Sequence, residues 1–406
     1  MKVVRFTGKT LEKICTRSAT RKVRVKRTVE SIVQDVFAHR DEALLRYTKK
    51  FDRVNLTSRQ LRVNEAETNA AYQNIDAAFI DSLKMAINNI TTFYKKQLKK
   101  SWRIRNEDGV ILGEILTPLE RVGVYVPGGT APLVSSVYMS VLPAKIAGVK
   151  EIYVATPPNA NGEVNPYILV VANLLKVNAV FKLGGAQAIA AFAFGTKTVP
   201  QVDKIVGPGN EYVTEAKRQV FGYCDIDMLA GPSEVVVIAN KFANPKHVIA
   251  DLQAQSEHLM GMSVLITNSK DLARTVRKEV ASGYVIMVKK MEEAVEVANR
   301  IAPEHLELLV KQPNKLLKYV RNAGAVFIGP YSPVVVGDYI SGPSHVLPTA
   351  GTARFFSGLN VHDFVKSTHL INYSKRALEK VAPAIEKIAA LEGMKHHILS
   401  LKSRFE

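Results

Sequence analysis

The stretch ERVGVYVPGG, residues 120–129, decides the fold class of this chain. A short apolar run passes there into a proline- and glycine-rich turn, which is typical of a buried strand that ends at a tight turn. The same succession recurs where residues 179–181 lead into Gly184-Gly185 and where residues 204–206 lead into Gly207-Pro208-Gly209. Each turn is followed by a helix-like segment. Short apolar strands that alternate with helices predict a parallel sheet with helical crossovers.

The glycine turns lie where strands give way to helices. Exposed backbone N–H groups and the positive end of a helix can hold a pyrophosphate at such a turn. None of the turns has the G-x-G-x-x-G pattern, so a full Rossmann fingerprint is absent. Three such turns within one unit nevertheless indicate a dinucleotide site. The alternative is that the glycines only let the backbone pass close to a neighbouring element.

The pattern of strands and helices restarts after Met228. Residues 235–238, VVVI, have the composition of a fully buried strand, and further strands and helices alternate up to residues 324–328. Residues 1–105 show helical periodicity, and residues 377–401 form one amphipathic helix or two. The sequence therefore predicts an α/β protein with two incomplete Rossmann-like parallel-sheet domains and helical N- and C-terminal extensions.

Composition narrows the classes of function. With 406 residues, of which 47% are hydrophobic, the chain can build two or more compact cores. No apolar run is long enough to cross a bilayer and the N-terminus has no signal-peptide core, so we expect no membrane partner. The two cysteines, Cys15 and Cys224, are far apart and indicate a reducing compartment. We therefore expect a cytoplasmic protein.

The formal net charge of +18 suits a nucleic-acid-binding protein. Only 7% of the residues are aromatic, however, and no zinc-finger, RRM-like or other nucleic-acid motif is present. The charge is densest in residues 1–27 and 95–105, where it is typical of solvated helix faces. We expect no nucleic-acid partner, and an inactive basic nucleic-acid-binding protein stays as an alternative.

The stretch APEHLEL, residues 302–308, is the main candidate for catalysis. Pro303 stiffens the backbone ahead of two adjacent ionisable side chains. Glu304 and His305 can divide proton transfer, since one can take a proton from substrate while the other activates water. The simpler interpretation is the start of a helix with a glutamate in its first turn.

Polar residues elsewhere extend this candidate site. Gln255 and His258 are three residues apart, so on a helix predicted from residue 245 they share one face and can ligate one metal ion together. The loop over residues 329–352 is long and contains several Gly and Pro, as functional loops often do. A metal-plus-base constellation is predicted from Gln255, His258, Glu304, His305, Asp338, His345, Glu392 and His397.

Blocks of sequence around these residues resemble, in the same order, the histidinol dehydrogenase family of zinc- and NAD-dependent enzymes. The resemblance extends from Asp41 to His397. It is carried by YVPGG (125–129), GGAQA (184–188), GPGN (207–210), AGPSE (230–234), QSEH (255–258), PEHL (303–306), GDY (337–339) and HVLPT (345–349), with Glu392 and His397. So many blocks in one order are far more specific than any single motif.

The resemblance implies a role for each polar residue. One Zn²⁺ per subunit would be held by Gln255, His258, Asp338 and His397. The substrate would contact Ser135, Ser233, Gln255, His258, His305, Asp338, His345, Glu392 and His397. NAD would contact Tyr125, Gln187 and Asn210, which agrees with the glycine-turn argument. Glu304 and His305 would be catalytic.

The implied reaction is the four-electron oxidation of L-histidinol to L-histidine, through bound histidinal and with two NAD, as the last step of histidine biosynthesis. The family also implies a homodimer with shared active sites, in which Glu392 and His397 act across the interface. A paralogue that oxidises another small polar alcohol with NAD is the alternative within the same class of enzyme.

Four domains are expected along the chain. They are an N-terminal basic extension (1–24), a large α/β domain with the metal site (25–124 and 236–358), an NAD-binding α/β domain (125–235) and a C-terminal helical dimerisation arm (359–406).

Overall fold

The computed structural model describes residues 1–5, 8–17, 23–73, 75–128, 132–258 and 260–406. Gly129, which ends the strand–turn stretch, and residues 18–22 of the expected basic extension lie outside the described residues. The chain forms two compact units. The first consists of Met1–Gln97 and Leu119–Phe364, and the second consists of Leu98–Pro118 and Val365–Glu406. This division does not test the four expected domains, whose boundaries stay a prediction.

Strands and helices alternate along most of the described chain. The strands are β1 (Lys2–Arg5), β2 (Trp102–Arg105), β3 (Ile111–Pro118), β4 (Arg121–Tyr125), β5 (Glu151–Thr156), β6 (Ala179–Lys182), β7 (Lys204–Val206), β8 (Asp225–Ile226), β9 (Glu234–Ala239), β10 (Met262–Thr267), β11 (Tyr284–Met287), β12 (His305–Leu309), β13 (Ala325–Ile328) and β14 (Val365–Asn372). The helices are α1 (Lys9–Cys15), α2 (Val23–Tyr47), α3 (Glu65–Tyr72), α4 (Ala77–Lys95), α5 (Val134–Ala147), α6 (Pro166–Leu174), α7 (Gly185–Phe194), α8 (Glu211–Val220), α9 (Pro245–Ala254), α10 (Lys270–Glu279), α11 (Met291–Ile301), α12 (Pro313–Leu317), α13 (Val334–Tyr339), α14 (Lys375–Leu391) and α15 (Lys395–Lys402).

Two parallel sheets organise the first unit. The five-stranded sheet has the order β6-β5-β4-β7-β8, and the six-stranded sheet has the order β1-β11-β10-β9-β12-β13. Strand β4 is central in the five-stranded sheet, and β9 is central in the other sheet once β1 is set aside. From each central strand the chain winds outward to one side and then to the other. This is the strand order of a Rossmann-type sheet without its sixth strand, and β1 is added at one edge. The predicted α/β class with two incomplete Rossmann-like sheets is confirmed.

The composition of β9 explains why both faces of the six-stranded sheet are covered. All of its residues from Glu234 to Ala239 are buried. Val236 and Ile238 pack on one face with apolar residues of α1 and α11, whereas Val235 and Val237 pack on the other face with residues of α9 and α10. Since successive side chains of a strand point to opposite faces, an uninterrupted apolar run is what a doubly covered strand requires.

The second unit is built on an antiparallel sheet with the order β14-β3-β2. The helices α14 and α15 complete this unit, so the C-terminal tail forms two helices and not one. The prediction that residues 1–105 are largely helical holds for α1 to α4, but both ends of the segment are strands. Lys2–Arg5 forms β1, which pairs with β11, and Trp102–Arg105 forms β2.

Within the described ranges, no helix combines the length and the apolar character that a membrane span requires.

Candidate active site

The Glu304-His305 pair lies at the amino end of β12. Helix α11 ends at Ile301, Ala302 takes a left-handed conformation (φ 49°), and Pro303 precedes the pair. The strand begins at His305, which pairs with Val235 on β9. The simpler interpretation of a helix start is therefore wrong, because the backbone is turning from a helix into a buried strand. Both side chains are buried, at 5% exposure each.

One ring nitrogen of His305 is bound and the other is free. Nδ1 lies 3.0 Å from the carbonyl oxygen of Glu234, and since a carbonyl only accepts, Nδ1 carries the proton. Nε2 is buried without a hydrogen-bond partner among the described residues and lies 3.6 Å from Oδ1 of Asp338. Burial lowers the pKa of His305 to about 4, so the ring is neutral at pH 7. The lone pair of Nε2 is thus available to accept a proton.

Glu304 has the opposite shift. Burial raises the pKa of Glu304 well above its ordinary value, and the charges of Glu234 and Asp338 act in the same direction. The backbone N–H of Glu234 donates a 2.9 Å hydrogen bond to Oε2 of Glu304, which opposes the shift. Oε2 also lies 3.6 Å from Nδ1 of His305. A carboxylate in such a site is a stronger base than one in water.

A cavity of about 560 Å³ opens in front of His305. Asp338 on α13 and His345 on the following loop both line it. Burial raises the pKa of Asp338 to about 6 and lowers the pKa of His345 to about 4. The ring of His345 hydrogen-bonds the backbone of Ser135, and its Nε2 is buried without a partner in the described part of the chain. His305 and His345, each with a partnerless ring nitrogen, therefore line this cavity together with Asp338.

Gln255 and His258 do not share a helix face, because α9 ends at Ala254. Gln255 is buried in a 3-10 turn, Gln255–Glu257, and His258 has an extended backbone and is exposed. Nε2 of Gln255 is buried and has no partner within the described residues. A positive charge on His258 would lower the pKa of His305 and of His345, which places His258 near both rings.

The expected zinc ligands are only partly grouped in the first unit. Among the residues that the structure describes, no three His, Cys, Asp or Glu side chains form a group that holds a metal ion. Within the first unit the expected set contains only two such residues, His258 and Asp338, besides Gln255. Glu392 and His397 belong to the second unit, where both are exposed, at the end of α14 and in α15.

The partnerless atoms nevertheless fit a cation and a polar ligand. His305 and His345 each have a buried ring nitrogen without a partner in the described ranges, and a ring nitrogen with a free lone pair can ligate a cation. The buried Nε2 of Gln255, also without a partner there, is an amide donor that suits a polar ligand, while its Oε1 is the atom that could ligate a metal. Asp338 is a partly buried carboxylate whose pKa is raised by burial alone. Imidazole, amide and carboxylate groups are donors that zinc accepts.

The expected cofactor residues lie at the carboxyl edge of the five-stranded sheet. Tyr125 ends β4, Gln187 lies in the first turn of α7, and Asn210 caps α8 after β7. The Tyr125 hydroxyl accepts a 3.0 Å hydrogen bond from the N–H of Gly185. The chain order of this sheet reverses between β4 and β7, and dinucleotides bind Rossmann-type sheets at that position.

The residues that support the catalytic pair were not predicted from the sequence. Glu234 was quoted only as part of a motif, yet its backbone contacts both Glu304 and His305. Arg17 forms a bidentate ion pair with the Glu234 carboxylate, and no spacing pattern indicates a partner 217 residues away.

A Rossmann-type fold with a buried carboxylate–imidazole pair beside a cavity indicates an enzyme that binds a dinucleotide and transfers protons, the class to which dehydrogenases belong. The model of the family described as histidinol dehydrogenase matches residues 15–405, and the chain belongs to this family. The family is NAD-dependent.

Relatives of known identity agree with this assignment. Histidinol dehydrogenase from Bacillus thuringiensis subsp. konkukian is 47% identical and covers 94% of this chain and 92% of its own length. The enzyme from Caldanaerobacter subterraneus subsp. tengcongensis is 46% identical and covers 97% and 95%. The crystal structure of histidinol dehydrogenase from Elizabethkingia anophelis superimposes with a TM-score of 0.93 at 35% identity, over 100% of this chain and 98% of that one.

Proposed function

We propose that this chain oxidises L-histidinol to L-histidine, with histidinal held in the site between two oxidations and with two NAD as hydride acceptors. Membership of the family supports the substrate and the place of the reaction in histidine biosynthesis. The observation that carries the mechanism is the neutral His305, whose partnerless Nε2 faces the cavity beside Asp338.

His305 acts as the base in both oxidations. Its Nδ1–H is held by the Glu234 carbonyl, so only Nε2 can receive the proton of the substrate hydroxyl. NAD accepts the hydride in each oxidation. The low pKa that burial imposes keeps the ring unprotonated at the start of each step. One site for both oxidations favours retention of the aldehyde.

Glu304 activates the water that hydrates the aldehyde. Burial raises its basicity, and the hydrogen bond from the Glu234 N–H holds its carboxylate in place. Neither cysteine offers an alternative nucleophile, because burial raises the pKa of both Cys15 and Cys224. A water route through Glu304 is therefore preferred over a thiohemiacetal.

Zinc would be held by Gln255, His258, Asp338 and His397. These residues would hold a cation to which the amine and ring nitrogens of the substrate could bind, and its chemistry there would be that of a Lewis-acid template that orients the carbinol carbon. Ser135, Ser233, His345 and Glu392 contact the substrate in this proposal, and Glu392 suits a cationic amine.

A homodimer with shared active sites would explain why His397, one of the four expected zinc ligands, belongs to the second unit. Glu392 and His397 lie exposed on the second unit, where they are accessible to another copy of the chain. We expect inactive His305→Asn and His397→Ala subunits to regain activity when they are mixed and re-associated, since one active site of the hybrid would be intact. No regain on re-association would contradict the shared site.

Counting NADH per histidinol tests the proposal. The parent protein with zinc should form close to two NADH per histidinol, and treatment with a chelator should abolish turnover until zinc is restored. Glu304→Gln, which keeps the hydrogen bond from Glu234, should form close to one NADH and accumulate aldehyde. If Glu304 only orients His305, both oxidations will slow together and the ratio will stay near two.

A further inference from the structure

Asp52 has a buried carboxylate oxygen for which the fold provides no partner. The residue ends a π-helical turn, Thr48–Asp52, that follows α2 directly. Its Oδ2 is buried and has no hydrogen-bond partner among the described residues. Burial is the only cause that acts on the pKa of Asp52 and raises it to about 6, so no described cation compensates the charge. A buried polar group without a partner is rare in folded proteins and calls for a functional explanation.

This carboxylate faces the glycine turn between β6 and α7. A Cβ atom placed on Gly184 would lie 3.4 Å from Oδ1 of Asp52 and 2.7 Å from Cβ of Pro157. Only glycine therefore fits at this position, where the backbone approaches both neighbours closely. Burial raises the pKa of Tyr125, whose hydroxyl is bound to Gly185, and the nearby Asp52 charge adds to this shift. Asp52 thus belongs to the carboxyl edge of the five-stranded sheet.

The chemistry of that edge limits what Asp52 can bind. An ionised carboxylate only accepts hydrogen bonds, so its ligand must offer a hydroxyl or an N–H group. In Rossmann-type sites an acidic residue near the glycine turn accepts from the ribose hydroxyls of NAD, whereas a 2′-phosphate is repelled by such a carboxylate.

We propose that Asp52 recognises the cofactor, with its carboxylate accepting a hydrogen bond from a ribose hydroxyl of NAD and excluding NADP. The proposal rests on the NAD dependence of the family and needs neither histidinol nor zinc. It adds a binding residue from the N-terminal helical segment to Tyr125, Gln187 and Asn210.

Calorimetric titration of the purified full chain with NAD and with NADP, in the absence of histidinol, tests the role of Asp52. The parent should bind NAD at least tenfold more tightly than NADP. Asp52→Asn should weaken NAD binding by roughly tenfold and bring the two affinities closer together, because a hydrogen bond to a charged group is lost and the repulsion is removed. Glu42→Gln, an exposed carboxylate on α2, should leave both affinities unchanged.

Thermal unfolding of the same proteins separates recognition from a structural role. Removing a buried unpaired charge should leave the unfolding midpoint of Asp52→Asn unchanged or raise it. A lower midpoint with an unchanged ratio of the two affinities would overturn the proposal, as would a parent that binds NADP as tightly as NAD. Asp52→Ser provides a second variant should the asparagine protein not fold. Because histidinol is absent, failure of histidinol oxidation would leave this result standing.

Discussion

Glu234 contributes to the active site through both its backbone and its side chain. Its N–H and C=O hold Glu304 and His305, so a shift of this one residue moves both proposed catalytic groups. Its carboxylate is bound by Nε and Nη2 of Arg17 and also accepts from the backbone N–H of Ala350. We therefore expect the Arg17–Glu234 pair to position the proposed catalytic pair through these contacts.

Arg17→Lys should lower kcat about tenfold, because an ammonium keeps the charge and loses the two-pronged geometry that holds Glu234. The Michaelis constant for NAD should not change, since the cofactor residues lie on the other sheet. Steady-state kinetics with each substrate varied in turn measures both quantities. Arg300→Lys, which changes an exposed arginine of α11, is the matched control. A parent-like kcat for Arg17→Lys would show that the pair has no positioning role.

The limits of sequence reasoning at this scale are visible in the same residues. Glu304 and His305 are adjacent, so their shared role can be predicted from local chemistry. The contact between Arg17 and Glu234 joins positions 217 residues apart, and only the packing of α1 against the six-stranded sheet creates it. Asp52 was missed for a similar reason, because nothing in a helical segment indicates a distant glycine turn.

The turn between β7 and α8 is held by a buried ion pair. Gly207, with φ 111°, donates its N–H to Oδ2 of Asp227 at 2.7 Å and accepts a 2.5 Å hydrogen bond from Nζ of Lys217. Lys217 and Asp227 are also bonded to each other, and their side chains are 3% and 1% exposed. A Cβ atom on Gly207 would lie 2.1 Å from the carbonyl oxygen of Tyr125, so only glycine fits there.

Lys217→Met should destabilise the fold by about 3–5 kcal/mol, because it leaves the Asp227 charge buried and unpaired. It should also weaken NAD binding and leave histidinol binding unchanged, since the turn belongs to the cofactor edge. Urea unfolding and ligand titrations provide the measurements. Lys84→Met, which breaks an exposed pair with Asp81, should change the free energy of unfolding by less than about 1 kcal/mol. Equal losses in the two variants would contradict the argument.

Most strands of the two parallel sheets were predictable, with β1 an exception, and the strands of the antiparallel sheet were not. Runs such as residues 235–238 are apolar throughout, so a buried strand is the only simple interpretation. Strand β14 is mostly exposed and pairs with β3, more than 240 residues earlier, so neither composition nor neighbourhood indicates it. The end of α9 at Ala254 was also missed, since no glycine or proline marks it before His258.

At the scale of the whole molecule, the two parallel sheets share a strand order once β1 is set aside, but their candidate functional residues lie at opposite edges. The expected cofactor residues lie at the carboxyl ends of β4 and β7, as in other Rossmann-type sheets. Glu304 and His305 instead lie at the amino end of β12, beside Ser233 and Glu234 at the amino end of β9. A rule based on carboxyl ends therefore predicts the cofactor edge and would miss the catalytic pair.

The stability of the whole molecule should depend on a second buried carboxyl group, Glu307, in the middle of β12. Its side chain has 0% exposure and accepts a 3.2 Å hydrogen bond from the N–H of Val334. Burial, followed by the charge of Asp251 on α9, raises the pKa of Glu307 to about 9. Burial also raises the pKa of Asp251. The folded protein therefore keeps a proton on this pair that the unfolded chain releases near pH 4.5.

A carboxyl group whose pKa is raised by folding stabilises the protein below its unfolded pKa, and that contribution is lost as the pH rises towards the folded value. Between pH 5 and about 9 the free energy of unfolding should accordingly fall, by up to about 1.4 kcal/mol per pH unit for one proton. Glu307→Gln removes the titrating carboxyl group and should flatten the dependence of the free energy of unfolding on pH. The variant should be more stable than the parent at pH 8. Urea unfolding at several pH values measures the slope, and Glu296→Gln, an exposed change on α11, should keep the parent's slope. An unchanged slope in Glu307→Gln would mean that this side chain is already ionised in the folded protein.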